Sequence, residues 1–177
     1  MVHSQYHIAQ LNISRLLAPL EAPEMKEFVD FLEPVNKFAE ESPGFVWRMK
    51  GENGEASSLL ASPFEDPMIV TNLTVWADIP SLQAFVYKSV HRYFLQNRRQ
   101  WFSRVDGSQV VLWWIPAGTI PTLDEGKRKL EQLETSGSRP DAFTLQQAFD
   151  AHGAPMTVPR LFRHDAAADQ PTPPSQQ

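Results

Sequence analysis

Residues 68–76, MIVTNLTVW, decide the fold. The run is rich in Ile, Val and Thr, residues that suit a pleated, half-buried surface, and it predicts a strand. Successive side chains of a strand point to opposite faces, so Asn72, Thr74 and Trp76 share one surface. A face built only for packing would carry Val, Ile and Leu, and an open face would carry more charge. An amide, a hydroxyl and an indole in one row suit the floor of a pocket for a small, partly polar organic molecule.

The same pattern recurs outward from this stretch. YHIAQLNI (6–13) alternates as a strand with Gln10 and Asn12 on one face, and Phe45 to Met49 reads as a short strand carrying Arg48. Gln109 to Ile115 is a fourth, with Trp113 or Trp114 on the corresponding face and Trp113 taken as a pocket wall. Between the strands, Met25, Phe28, Val29, Leu32, Val35, Phe38 and Ala39 recur at helical spacing, with Pro34 predicting a kink near Leu32 and Glu33. Leu82, Phe85, Val86, Val90, Tyr93 and Phe94 mark a second helix opening at Asp78 to Ser81. The long stretch from Lys50 to Pro67 reads as a loop of the kind that serves as a lid or is disordered. Thr122-x-x-Glu125 matches a capping box for a third helix, stopped by Ser136-Gly137-Ser138, and Phe143 to Phe149 is a candidate extra strand.

Strand, helix, strand, strand, helix, strand is the order of the ferredoxin-like split βαβ unit. The expected fold is therefore α+β: a four-stranded antiparallel sheet with both helices on one face and an extra C-terminal helix. The other face is left for a partner, because an exposed apolar sheet face is an association site. One domain is expected over residues 1–150, followed by an extended, disordered tail over 151–177.

Composition removes several classes. With 177 residues, 42% of them hydrophobic, the chain can bury a core; a net charge of −5 argues against a nucleic-acid backbone partner, which requires a basic stripe. Basic residues do cluster between Arg92 and Arg104, interleaved with Tyr93, Phe94, Trp101 and Phe102; the plainer reading is the solvated last turns of a helix. The absence of cysteine excludes disulfides, thiolate nucleophiles and zinc–thiolate sites. No signal peptide is visible and no segment is apolar enough for a membrane span, so the expectation is a soluble, cytoplasmic protein without a nucleic-acid or membrane partner. No Ser-His-Asp order, phosphate-binding glycine loop, dinucleotide fingerprint or metal-ligand spacing is present.

The strings HIAQLNISR, ESPGFVWRM, SLQAFVYKSVHRYFLQNRRQWF and VLWWIPAGTIPTLDEG together resemble the bacterial family of domain of unknown function 3291. The resemblance spans about Tyr6 to Phe149 and implies a dimeric α+β barrel. Its wider superfamily includes antibiotic-biosynthesis monooxygenases, haem-degrading oxygenases, chlorite dismutases, dye-decolourising peroxidases, aldoxime dehydratases and lactone isomerases, so the fold fixes little chemistry. Asn72-x-x-x-Trp76 resembles the strand pair that holds and polarises an aromatic substrate in the cofactor-independent monooxygenases. Ser89-x-His91 resembles their Ser-Pro-His pattern, with Val90 in place of Pro.

The candidate site follows. His91 is the candidate proton-handling residue, or the axial ligand if haem is bound; its bland reading is a helix-flank histidine hydrogen-bonded to a carbonyl or to Tyr87. Asn72 and Trp76 are candidate catalytic groups, able to stabilise an enolate or phenolate in a dry cavity; otherwise Trp76 is a good strand former and Asn72 pairs with Asn12 across the sheet. Asn12, Arg48, Thr74, Tyr87 and Trp113 complete the substrate-binding set. Arg48 suits a carboxylate or a haem propionate, or else reaches water or an acidic residue of a partner subunit. Trp47, Trp113 and Trp114 also supply burial for core and dimer packing, and His7 falls on the face opposite Gln10.

The functional expectation is a homodimer with a small-molecule pocket between sheet and helices, acting as a monooxygenase-like oxidoreductase on an aromatic or polyketide-like compound. Two alternatives stand beside it. One is a haem protein of the same fold with His91 as ligand; the other is a non-catalytic metabolite- or partner-binding dimer whose contact surface is the run from Arg92 to Phe102.

Overall fold

The structure is a computed structural model and describes residues 5–89 and 99–159. β1 (Tyr6–Leu16) is the central strand. It pairs with β3 (Ile69–Trp76) on one side, and on the other with β5 (Val110–Pro116) and the two-residue β4 (Phe102–Ser103). β2 (Phe45–Arg48) forms the outer edge beside β3, and every pairing is antiparallel. α1 (Lys26–Glu40) joins β1 to β2 and α2 (Ile79–Ser89) follows β3, so the chain has the ferredoxin-like α+β fold expected of it, with β4 as an added fifth strand.

Local chemistry sets the element ends. Asp78 caps α2 by accepting the Ser81 amide at 2.8 Å. Thr122 caps α3 (Leu123–Ser136) by accepting the Glu125 amide at 3.1 Å, and Gly137 ends that helix at φ 69°, a conformation a side chain would strain. α1 runs through Pro34 as one helix, so the kink or broken turn expected there is not a broken turn. β1 extends three residues past Ile13 because Arg15 pairs with both β3 and β4 and Leu16 pairs with β4 while donating its N–H to the Met68 carbonyl at 2.9 Å.

The sheet has two unlike faces. On one, Ala9, Leu11 and Ile13 of β1 lie with Leu73 and Val75 of β3 and Val111, Trp113 and Ile115 of β5, all buried. This face had been expected to await a partner. Instead α3 closes it with Leu130 and Leu133, and Phe64 of the 50–67 loop packs against the same cluster. That loop is no lid: Ser57 is buried within it and donates to the Thr71 carbonyl at 2.9 Å, fastening it to β3. A second copy is not needed to bury this surface.

The packed unit also continues past residue 150. Phe143 exchanges both backbone hydrogen bonds with Leu112 at 2.9 Å, and β6 (Ala148–Phe149) pairs with β7 (Pro155–Met156). The expected strand over 143–149 is thus one bridge and one short strand, and Met156 and Val158 pack against the core.

The start of β3 carries a charge-dependent fastening. Asp66 accepts the Met68 amide at 2.8 Å and Arg15 Nε at 2.7 Å, and these donors, the amide first, hold its carboxyl below the usual carboxylate range. A carboxyl acidified by folding adds stability above its unfolded pKa of 3.8, and that stability is lost as pH falls through the lower folded value. Asp66→Asn is therefore expected to flatten the acid limb of the stability curve. Urea denaturation on either side of that window checks this; an unchanged acid limb would remove the linkage.

Candidate functional site

The second face of the sheet is where the polar residues gather. The register sets Ile8 opposite Trp76, Gln10 opposite Thr74, Asn12 opposite Asn72 and Ser14 opposite Val70. Arg48 on β2 pairs with Thr74, and on β5 Trp114, Leu112 and Val110 face Ile8, Gln10 and Asn12. Directly paired residues project to one side of a sheet, so Gln10, Asn12, Ser14, Asn72, Thr74, Trp76 and Arg48 share this face.

Two apolar clusters close its ends. At one end Ile8, Trp76 and Leu112 pack with Ala39 of α1 and with Ile79 and Leu82 of α2. At the other, Leu16 and Val70 pack with Met25, Phe28 and Trp101. Phe28, Leu32, Val35 and Ala39 form one stripe of α1 by their spacing. Phe28 and Ala39 are buried, whereas Leu32 and Val35, on either side of Pro34, are only half-buried. α1 thus touches the sheet at two points about 16 Å apart along its axis and spans Ser14, Asn12 and Gln10 between them.

Those residues keep solvent access. Gln10, Asn12, Ser14 and Asn72 sit on the two central strands, under helices, and all are half-buried. Their neighbours on the opposite face are fully covered. Among the described residues, neither the Asn12 nor the Asn72 amide meets a hydrogen-bonding partner. A half-buried polar strip, called the cleft below, therefore runs along β1 and β3 beside the middle of α1, with aromatic clusters at both ends. An open depression lined by Pro23, Glu24, Lys26, Glu27, Asp30 and Phe31 at the start of α1 is a separate surface feature with solvated charged walls.

Several expected site residues prove to be supports. Trp76 is fully buried, stacked on Phe85 at 4.8 Å and edge-on to Phe45 at 5.4 Å. Its indole N–H donates to Thr74 Oγ1 at 3.1 Å, so it cannot polarise a substrate directly. Thr74, 4% exposed, donates in turn to Gln10 Oε1 at 3.3 Å and is likewise occupied. Arg48 gives Nε to Glu40 at 2.8 Å and Nη2 to the Gly54 carbonyl at 3.5 Å, while Nη1 is covered and unpaired. Its acidic partner comes from the chain's own α1, and its fork is not open to a carboxylate or propionate.

Trp113 is corrected outright. It pairs with Ala9 on the closed face, is 1% exposed, and donates to Glu125 of α3 at 2.9 Å. Trp114 occupies the cleft side, at the aromatic end, and its N–H is spent on the Phe149 carbonyl at 2.8 Å. Tyr87 lies on α2 and is 42% exposed. His91 lies outside the described residues. Of the basic–aromatic run, Arg92 to Arg98 also lie outside, while Trp101 is buried against Phe28, so that end of the proposed contact surface is interior.

Two residues that bear on the cleft had been given no role. Ser14 continues the period of Gln10 and Asn12, but the strand had been ended at Ile13. Gln10 was placed on the right face, yet its importance depends on Thr74 as a neighbour, which register alone reveals. His7 lies on the closed face with Nδ1 covered and unpaired, and His152 stands edge-on to Tyr6 at 6.0 Å. Among the described residues no three His, Cys, Asp or Glu side chains are grouped to hold a metal, and no helix is long and apolar enough to cross a membrane.

Comparison with known proteins follows from this geometry. Residues 7–158 match the family described as Domain of unknown function (DUF3291). No curated protein sequence matches the chain. Among solved structures, a conserved protein from Methanosarcina mazei Go1 is similar at TM-score 0.43 and 14% identity, over 64% of this chain and 95% of that one. A protein of unknown function from Nitrosomonas europaea aligns at TM-score 0.41 and 15% identity, over 67% and 97%. A "putative Antibiotic biosynthesis monooxygenase" from Chloroflexus aurantiacus J-10-fl aligns at TM-score 0.38 and 13% identity, over 66% and 98%.

Proposed function

We propose, from the premise that this chain belongs to the DUF3291 family, that it binds a small aromatic compound bearing a carbonyl or phenolic oxygen in the cleft between β1, β3 and α1, and acts on it as a monooxygenase-like enzyme. One observation carries the reading: Asn12 and Asn72 face each other across the two central strands, half-buried and without partners among the described residues. Half-buried amides with solvent access bond water in the free protein, and a guest that displaces that water must replace those bonds, which selects for polar oxygens. Aromatic walls at both ends supply flat apolar contact for a ring system.

The chemistry suits the residues present. Amide N–H groups aimed at a carbonyl or phenol oxygen stabilise the enolate or phenolate that forms when a proton leaves, and do so more strongly where water is excluded. The described cleft residues are amides and hydroxyls, which donate hydrogen bonds but do not take a proton near neutral pH. In this reading the proton passes to His91, a role that rests on the sequence resemblance. The haem alternative keeps His91 but loses Arg48 as a propionate contact, because Glu40 already holds that guanidinium.

A panel of bicyclic and tricyclic ketones and phenols, titrated against isotope-labelled protein, tests the site. Bound compounds are expected to shift the side-chain amide resonances of Asn12 and Asn72, and Asn12→Ala or Asn72→Ala to weaken binding by about tenfold each. Unchanged affinity in both variants would remove the site. Binding without dioxygen uptake or an oxygenated product would reduce the protein to a binding module.

A further inference from the structure

We infer that Gln10 is a specificity-determining residue of this cleft, fixed as a hydrogen-bond donor by Trp76 and Thr74, so that the site selects a ligand oxygen that accepts and discriminates against a surface with nothing to accept. The inference rests on the binding reading above and narrows it.

The argument is one of hydrogen-bond polarity. An indole N–H can only donate. Trp76 Nε1, wholly buried, spends that hydrogen on Thr74 Oγ1 at 3.1 Å, which makes the hydroxyl oxygen an acceptor there. The hydroxyl has one hydrogen of its own, and its only acceptor among the described residues is Gln10, at 3.3 Å. The Gln10 atom that receives it must therefore be the oxygen, Oε1. An amide in other surroundings turns over freely, exchanging its oxygen and nitrogen; here the turned-over form would make Thr74 Oγ1 accept twice and leave its own buried hydrogen without an acceptor among the described residues. The order Trp76 to Thr74 to Gln10 thus has one sense, and it delivers an NH2 group at the far end.

That NH2 group has no acceptor among the described residues, and Gln10 is half-buried on β1 between Ile8 and Asn12. It stands one strand position from the unpartnered Asn12 amide on the same face. Asn12 and Asn72 are ambivalent, each able to present oxygen or nitrogen. Gln10 is not, because the buried core behind it has set its direction. Thr74 and Trp76 are positioning residues: neither touches the guest, and both act through Gln10.

The test uses two probes with one carbon skeleton, 1-tetralone, which carries a single carbonyl, and tetralin, which carries none. Wild-type protein is expected to bind tetralone well over tenfold more tightly than tetralin, with the Gln10 Nε2 proton resonances shifting only for tetralone. Gln10→Leu is expected to lower the preference about tenfold, the contribution of Asn12 and Asn72 remaining. Thr74→Ser keeps the hydroxyl and is expected to keep the preference; Thr74→Val, of nearly the same size, is expected to lose most of it while tetralin affinity holds. Equal binding of the two probes by the wild-type protein, or a preference undiminished in Gln10→Leu or Thr74→Val, overturns the role of Gln10 and leaves the cleft standing. Failure of both probes to bind overturns the cleft with it.

Discussion

Gly126→Leu is expected to lower the unfolding free energy by about 3 kcal/mol, at the upper end for overpacked interiors. Gly126 lies on the buried side of α3, and a Cβ built there comes 3.1 Å from Leu11 Cδ2, 3.3 Å from Leu11 Cβ and 3.4 Å from Trp113 Cη2. The Leu11 backbone is locked between β3 and β5, so the side chain has little room to retreat. One methyl can be met by a few tenths of an ångström of adjustment, and Ala gains about 1 kcal/mol of helix propensity over Gly, so Gly126→Ala is expected to be near neutral. A branched side chain has no such remedy and must lift α3. Urea denaturation measures the loss; light scattering should rise with it, since lifting α3 uncovers Ala9, Leu11 and Ile13. Wild-type stability in Gly126→Leu would mean that α3 is not seated on β1 this closely.

The second large effect is expected at Trp76. Trp76→Ala removes a fully buried indole packed on Phe45 and Phe85 and should cost about 3–5 kcal/mol. The comparison with Trp76→Phe separates packing from polarity. Phe preserves much of the ring contact and deletes the N–H, so its stability loss should be well under half of that in Trp76→Ala. Its effect on the cleft should nonetheless be visible, because Thr74 then lacks the donor that fixes its hydroxyl. Thermal melts give the first quantity and tetralone affinity the second. If Trp76→Phe binds tetralone as the wild type does, the indole is a packing residue alone.

Much of the architecture was legible in the chain because it follows from short-range rules. Alternation in 6–13 and 68–76, the Asp78 and Thr122 caps and the stop at Gly137 each depend on residues close in sequence. That Asn12, Asn72, Thr74 and Trp76 share a face follows from period alone, once both strands are recognised. The errors are of longer range. Choosing between Trp113 and Trp114 requires the register of β5 on β1, which a one-residue slip inverts. Assigning Arg48 to a substrate required knowing that Glu40, eight residues earlier and across a turn, would meet it. The apolar face of Ala9, Leu11 and Ile13 was left open because a helical stripe of Leu130 and Leu133 does not declare which sheet surface it covers. Side chains read as chemistry proved to be scaffolding for the same reason: whether an indole N–H is available depends on the atom already beside it.

The place of β1 at the middle of the sheet has a consequence for how the protein is made. Every strand that pairs with β1 emerges from the ribosome after it, and the helix that shields its apolar side is complete only at Ser136. At a synthesis rate of about 5–20 residues per second, the first strand waits many seconds with Ala9, Leu11 and Ile13 uncovered. Until its last third arrives the nascent chain carries this apolar surface without its helical cover, so burial of that face comes late in synthesis.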